Sequence, residues 1–185
     1  MPALNPTDEP SDESLLARSL VGETEAFSSL IVRYERRVHG LLWRLGVQPD
    51  AMDDLYQQVW LRAFNGRASF RGKSRFSTWL YAIALNETRA WRRRHQTLPL
   101  DSIAEPHEPG INALDRLLGK ARQEGLRKAL ATLPPADQES LALRYQQGLD
   151  YDDIARLTGR SLAQARLRNF RALARLRALM KDHEL

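Results

Sequence analysis

From residue 24 to residue 45 the apolar side chains Phe27, Leu30, Ile31, Tyr34, Val38, Leu41, Leu42 and Leu45 recur every three or four positions, with polar residues between them. That spacing puts them on one face of a long helix, and Gly46 marks its end. The same pattern predicts a short helix over 12–20, stopped near Gly22, and two more over 50–65 and 76–94. Residues 95–112, HQTLPLDSIAEPHEPGIN, break the pattern, because they hold three prolines and few periodic apolar positions. They read as a linker. Helical spacing resumes over 113–132, 136–147, 151–158 and 161–181, punctuated by Pro134, Pro135, Gly148 and Gly159. The chain therefore reads as a disordered lead (1–11), a helical domain (12–94), a linker (95–112) and a second helical domain (113–185).

Composition selects the same class. Leu and Ala number 52 against 10 Val and Ile, which favours helices over strands. The expected fold is all-α. Absence of cysteine excludes a disulfide scaffold, a thiolate metal site and a thiol nucleophile. No run approaches the 18 apolar residues of a membrane span, and the acidic opening lacks the apolar stretch of a secretory signal. A chain of this kind is expected in the cytoplasm.

Charge is distributed in blocks. The net charge is +5, but residues 1–24 and 95–115 each carry −4, while 25–94 carry +7 and 116–185 carry +6. The cations are 24 Arg to 4 Lys. Arginine forks make bidentate contacts with phosphate and with guanine edges that lysine cannot copy. Two Arg-rich helical blocks separated by an acidic one point to nucleic acid.

In the second block, DYDDIARLTGRSLAQARLRNFRALARL has the layout of a helix-turn-helix. Asp150 can cap the first helix, Gly159 can make the turn, and Ser161 with Gln164 forms a capping box for the second helix. On a helical wheel Leu162, Ala165, Ala172, Leu173, Leu176, Leu179 and Met180 share one arc, with Asn169 among them. Gln164, Leu167, Arg168 and Arg171 lie away from it. This is the arrangement that enters a major groove through the N-terminal half of a helix.

The first block carries three features. On the helix at 50–65, Leu55, Val59 and Ala63 face the core, while Asp53, Asp54, Gln57, Gln58 and Leu61 make a mixed surface fit either for a docking partner or for solvent. The segment FRGKSRFSTWLY interleaves Phe70, Phe76, Trp79 and Tyr81 with Arg71, Lys73 and Arg75. Aromatics stack on unpaired bases while cations follow the backbone, unless the rings belong to the core. The next helix packs through Leu80, Ile83, Ala84 and Trp91 and turns Leu85, Asn86, Arg89, Arg92 and Arg93 outward, where Asn can read a base edge and Arg can anchor phosphate. Glu87 falls on the apolar side and needs an arginine partner or partial exposure. These residues leave a duplex-binding regulator open as an alternative, although such a protein has no need of the aromatic–basic segment.

Taken together, SDESLLARSLVGETEAFSSLIVRYERRV, DAMDDLYQQVWLRAF, FRGKSRFSTWLYAIALNETRAWRRR and LPPADQESLALRYQQGLDYDDIARLTGRSLAQARLRNFRALARL, in that order, resemble the extracytoplasmic-function (ECF) class of bacterial RNA polymerase sigma factors over residues 12–181. The resemblance implies a region 2-like bundle and a region 4-like helix-turn-helix. It implies that Asp53, Asp54, Gln57, Gln58 and Leu61 dock on the β′ coiled coil of core RNA polymerase, with the second domain on the β flap. It further implies that Asn86, Arg89, Arg92 and Arg93 read the promoter −10 element, and that Phe70, Arg71, Lys73, Arg75, Phe76 and Trp79 hold the opened strand. Ser161, Gln164, Arg166, Leu167, Arg168 and Arg171 would read the −35 element. Such a protein has no catalytic residues, metal or cofactor of its own, does not insert in a membrane, and is held by an anti-sigma factor. The chain departs from the family where Gln58 replaces a second carboxylate, where Trp91 replaces an aspartate, and at Gln164 and Leu167, where a small residue or lysine is usual. No fused accessory domain is expected after residue 185.

Overall fold

A computed structural model describes residues 9–95, 125–126 and 128–182. Most of the expected lead and linker, and much of the expected helix at 113–132, lie outside the described residues. Among the described residues there is no strand.

Four helices make the first half: α1 (Asp12–Leu20), α2 (Thr24–Arg44), α3 (Pro49–Gly66) and α4 (Phe76–His95). Ser11 caps α1, its hydroxyl accepting from the Ser14 amide at 3.1 Å, with Asp12 and Glu13 at the positive end of the helix. Gly22 and Gly46 close α1 and α2 with φ of +101° and +77°, which only glycine adopts without strain. Pro49 opens α3, where its missing N–H is no loss. The Asn65-Gly66 step, a hairpin signal in other contexts, simply ends α3, and a 3-10 turn (Arg67–Ser69) follows. Burial and the Asp12 carboxylate, which accepts from the Tyr34 hydroxyl, hold that phenol above its ordinary pKa.

In the second half a helical turn at 128–132 (α5) precedes α6 (Pro135–Leu141), α7 (Tyr151–Thr158) and α8 (Leu162–Asp182). The sequence pattern predicts one helix over 136–147. Instead α6 passes into a π turn at Ala142–Gln146. The wider turn lets Ala142 and Leu143 both face the first half, a displacement of one residue that periodicity does not register. Asp150 caps α7, accepting from the Asp153 amide at 2.7 Å, and Gly159 closes it at φ +66°. The capping box forms as read: the Ser161 amide donates to Gln164 Oε1 at 3.0 Å and the Gln164 amide to Ser161 Oγ at 3.2 Å.

The halves pack together. Leu143, Leu149, Ile154 and Ala165 belong to the same buried cluster as Leu30, Val38, Leu41, Leu80 and Tyr81. A smaller cluster around Leu133, Leu141 and Ala172 lies between α5, α6 and α8. Among the hydrogen bonds that cross the seam are Thr78 Oγ1 to Asp153 at 3.4 Å and Gln147 Nε2 to the Arg37 carbonyl at 3.2 Å. Gly40 lies beside Gln146 at the seam, where a Cβ would come within 2.3 Å of Gln146 Nε2 and displace the end of that side chain. Asn169, the polar residue on the apolar arc of α8, is buried and donates to the Ser140 carbonyl at 3.1 Å.

Leu143 has no solvent exposure and fills the seam from the second half. Leu143→Ala is expected to cost about 2–5 kcal/mol of unfolding free energy, read from urea denaturation of the whole chain. A loss near zero would show that the seam is not a packed core.

Candidate polymerase and nucleic-acid interfaces

On α3 the helical period separates two faces. Leu55, Val59, Trp60 and Ala63 are buried, and Asp53, Asp54, Gln57, Gln58 and Leu61 are exposed together. Leu61 is 60% exposed. Among the described residues no hydrogen bond or ion pair ties down Asp53, Asp54, Gln57 or Gln58. Glu87 finds the arginine partner that its place on the apolar side calls for, reaching back from α4 to Arg62 on α3 at 3.2 Å.

The aromatic–basic segment divides. Arg71, Lys73 and Arg75 are exposed. Phe76 is fully buried and packs edge-on against Tyr34 at 5.5 Å, with Trp79 tilted against it at 5.7 Å. A ring with no free face cannot stack on a base, so the expectation that Phe76 holds an opened strand gives way to a core role. Phe70 and Trp79 are half-buried, 5.6 Å apart, and keep part of their rings at the surface. The cations thus surround an aromatic cluster that anchors α4.

Along α4, Asn86 and Arg93 are exposed, but Leu85, read from the wheel as outward, is buried in the cluster that the two halves share. Arg89 and Arg92 are engaged by the second half. Arg89 Nε donates to Glu139 Oε1 at 3.1 Å and Nη2 to Oε2 at 2.7 Å. Arg92 donates to the Leu45 carbonyl and, at 3.0 Å, to Gln138 Oε1, and lies 3.9 Å from the Glu139 carboxylate. Hydrogen bonding to Glu139 raises the pKa of Arg89 above its ordinary value, whereas burial lowers that of Arg92.

On α8, Ser161, Gln164, Arg166, Leu167 and Arg171 are exposed along the N-terminal half of the helix. Two of them, Ser161 and Gln164, already spend a side-chain oxygen on capping, which fixes the start of the helix and leaves the Gln164 amide NH2 to bond outward. Arg168 differs from the wheel reading. It turns inward, half-buried, and donates to Asp137 at 2.8 Å, where Arg175 also binds. Asp137 is 1% exposed, and a carboxylate so enclosed requires such partners. Arg166 lies over the Tyr151 ring at 5.9 Å. The sequence reading missed Phe170, which is 72% exposed. With Ala163, Leu167 and Ala174 it makes an exposed apolar strip beside Arg166 and Arg171. The signal was its wheel position beside Leu167, obscured by the habit of assigning phenylalanine to a core. Among the described residues no group of acidic or imidazole side chains is placed to hold a metal ion.

The two halves match two family models, Sigma-70 region 2 over residues 30–97 and Sigma-70 region 4 over residues 123–176. The chain is 31% identical to the ECF RNA polymerase sigma-E factor of Haemophilus influenzae over 173 residues, covering 88% of this chain and 91% of that protein. It is equally identical to the ECF RNA polymerase sigma-E factor of Escherichia coli K12 over 177 residues, covering 90% and 92%. Its fold is like that of CnrH in complex with the cytosolic domain of CnrY, at a TM-score of 0.70 and 22% identity, covering 94% of this chain and 99% of that one. A second fold match is the sigma factor RpoE of Bartonella quintana in complex with the anti-sigma factor NepR, at a TM-score of 0.70 and 24% identity, covering 84% and 96%. With two sigma regions in order on one all-helical chain, and relatives aligned over nearly their whole length, this protein belongs to the ECF sigma factors of RNA polymerase.

Proposed function

We propose that the chain works in the cytoplasm as a dissociable, non-catalytic specificity subunit, which docks on core RNA polymerase through α3 and reads a promoter through α4 and α8. The observation that carries this reading is the α3 face. It holds two carboxylates, two amides and an exposed leucine, with no hydrogen bond or ion pair to these polar groups among the described residues, and is backed by a buried face. That is the make-up of a protein-docking patch with an apolar centre and a polar rim. Exposed Arg166 and Arg171, with Leu167 and Phe170 beside them, support −35 recognition by α8: the cations suit phosphates and guanine edges, and the apolar side chains suit thymine methyl groups. Asn86, Arg89, Arg92 and Arg93, with Arg71, Lys73 and Arg75 nearby, support −10 recognition and strand capture, with Phe70 and Trp79 supplying partly exposed rings. Residues 95–112 would connect the halves on the promoter, where eighteen residues reach at most roughly 60 Å. Binding to the β flap and to an anti-sigma factor completes the proposal. An anti-sigma factor occupies the Bartonella quintana relative of similar fold.

Asp54→Ala is expected to weaken binding of purified core polymerase roughly tenfold while leaving thermal stability within about 0.5 kcal/mol, since the residue is exposed and has no side-chain bond among the described residues. Undiminished capture of core would remove α3 as the dock.

The α8 arginines separate by role. Arg171→Ala should weaken binding to −35 DNA by about 1–3 kcal/mol and, if the contact is to phosphate, reduce the salt slope by about one. Arg168→Ala should instead cost about 1–3 kcal/mol of folding stability, because it strips a partner from buried Asp137. Footprinting across a salt series, beside urea denaturation of both variants, checks this. A DNA defect confined to Arg168→Ala with unchanged stability would reverse the assignment.

A further inference from the structure

Three consecutive side chains of α6 are spent on arginines. Asp137 holds Arg168 and Arg175 of its own half, whereas Gln138 and Glu139 reach across the seam to α4. The Glu139 side chain is 8% exposed. Arg89 meets it with two parallel hydrogen bonds at 3.1 and 2.7 Å, and Arg92 flanks it at 3.9 Å.

A guanidinium fork facing two oxygens on one centre is the pattern by which arginine grips a carboxylate or a phosphate alike. We infer that Glu139 is an internal latch, occupying on Arg89 and Arg92 the place of a nucleic-acid phosphate and holding the free chain in a closed form that binds single-stranded DNA weakly. This inference deepens the proposed function and rests on its assignment of the α4 arginines to nucleic acid.

Two features place the control at Glu139. The other hydrogen bonds across the seam among the described residues, Thr78 to Asp153 at 3.4 Å, Gln147 to the Arg37 carbonyl at 3.2 Å and Arg92 to Gln138 at 3.0 Å, are each single and neutral or singly charged. The Glu139 pair is bidentate and charge-assisted, roughly twice as strong per bond. Second, a buried carboxylate that loses its arginine is strongly penalised, so the closed seam and the Arg89 contact stand or fall together. Opening frees Arg89, leaves Arg92 only its own-half contact to the Leu45 carbonyl, and returns Glu139 to water. A polyanion able to take the fork therefore competes directly with closure.

The chain has no native cysteine, so dyes placed on Val32→Cys in α2 and Ala178→Cys in α8, both exposed positions, report the separation of the halves by energy transfer. The labelled full-length protein is compared with its Glu139→Gln, Glu139→Arg and Arg89→Glu/Glu139→Arg forms, each checked for native helicity by circular dichroism. In parallel, the affinity for a single-stranded deoxyoligonucleotide is measured at fixed salt, with Glu25→Gln as an exposed control of equal charge change.

Glu139→Arg should lower the transfer efficiency and the charge-swapped double variant should restore it. If about nine free molecules in ten are closed, Glu139→Gln should bind the oligonucleotide up to about tenfold tighter, and Glu25→Gln less than about twofold. Wild-type transfer efficiency in a natively helical Glu139→Arg would overturn the latch, as would a Glu139→Gln affinity no higher than that of Glu25→Gln. Should Glu139→Arg lose its helicity, Glu139→Gln supplies both readouts: it must lower transfer and tighten binding, or the latch is refuted. Transcription by the wild type with core polymerase reports separately on the proposed function.

Discussion

A carboxylate taken out of water has to be met by a cation or a set of donors, and three are buried among the described residues, Asp153 on α7 and, two residues apart on α6, Asp137 and Glu139. Asp137 is answered by one Nη1 from each of two arginines, and Glu139 by a single arginine fork. Asp137 ties α8 to α6 from below, through Arg168 and Arg175, and so sets the orientation of the helix whose outer face carries Arg166, Leu167, Phe170 and Arg171. Glu139 ties α6 to α4, and with it one half of the molecule to the other. The arginines that satisfy these carboxylates are drawn from the same basic blocks that mark the chain as a nucleic-acid protein, so structural and recognition demands compete for one pool of side chains.

Helix boundaries were legible wherever a residue fixes backbone geometry by itself. Gly22, Gly46, Gly148 and Gly159 all adopt the left-handed φ that a helix stop needs, and the Ser161–Gln164 box closes with both hydrogen bonds. The two faces of α3 were legible too, because a long amphipathic helix with one strong apolar stripe has a single way to sit on a core. What failed was anything that depends on a neighbour distant in sequence. A wheel places Arg168 outward, but cannot see Asp137 thirty-one residues earlier. It places Leu85 outward beside Asn86, but not in the buried cluster that the two halves share. Phe76 follows a loop rich in cations and reads equally well as a base-stacking ring, until Tyr34 is found lying against it. The π turn at Ala142–Gln146 displaces the register by one residue, which the periodicity does not show, and Ala142 and Leu143 both join the buried cluster.

The division of labour that emerges differs from an even spread of recognition residues. Buried arginines organise the scaffold. Exposed ones, Arg71, Arg75, Arg93, Arg166 and Arg171, stay solvated and available. On α3 the available groups are acidic and amide instead of basic, which suits a protein surface and repels the DNA backbone that α4 and α8 attract. One small helical chain thus presents opposite chemistries on different helices, as a bridge between a polymerase and a promoter requires.

Initiation itself is the most direct measurement. Core RNA polymerase purified from the protein's own cell, incubated with its genomic DNA and nucleotides, should start RNA chains at a defined set of 5′ ends only when this protein is added, each preceded by a shared pair of upstream sequence boxes. Start sites unchanged by its addition would contradict the account.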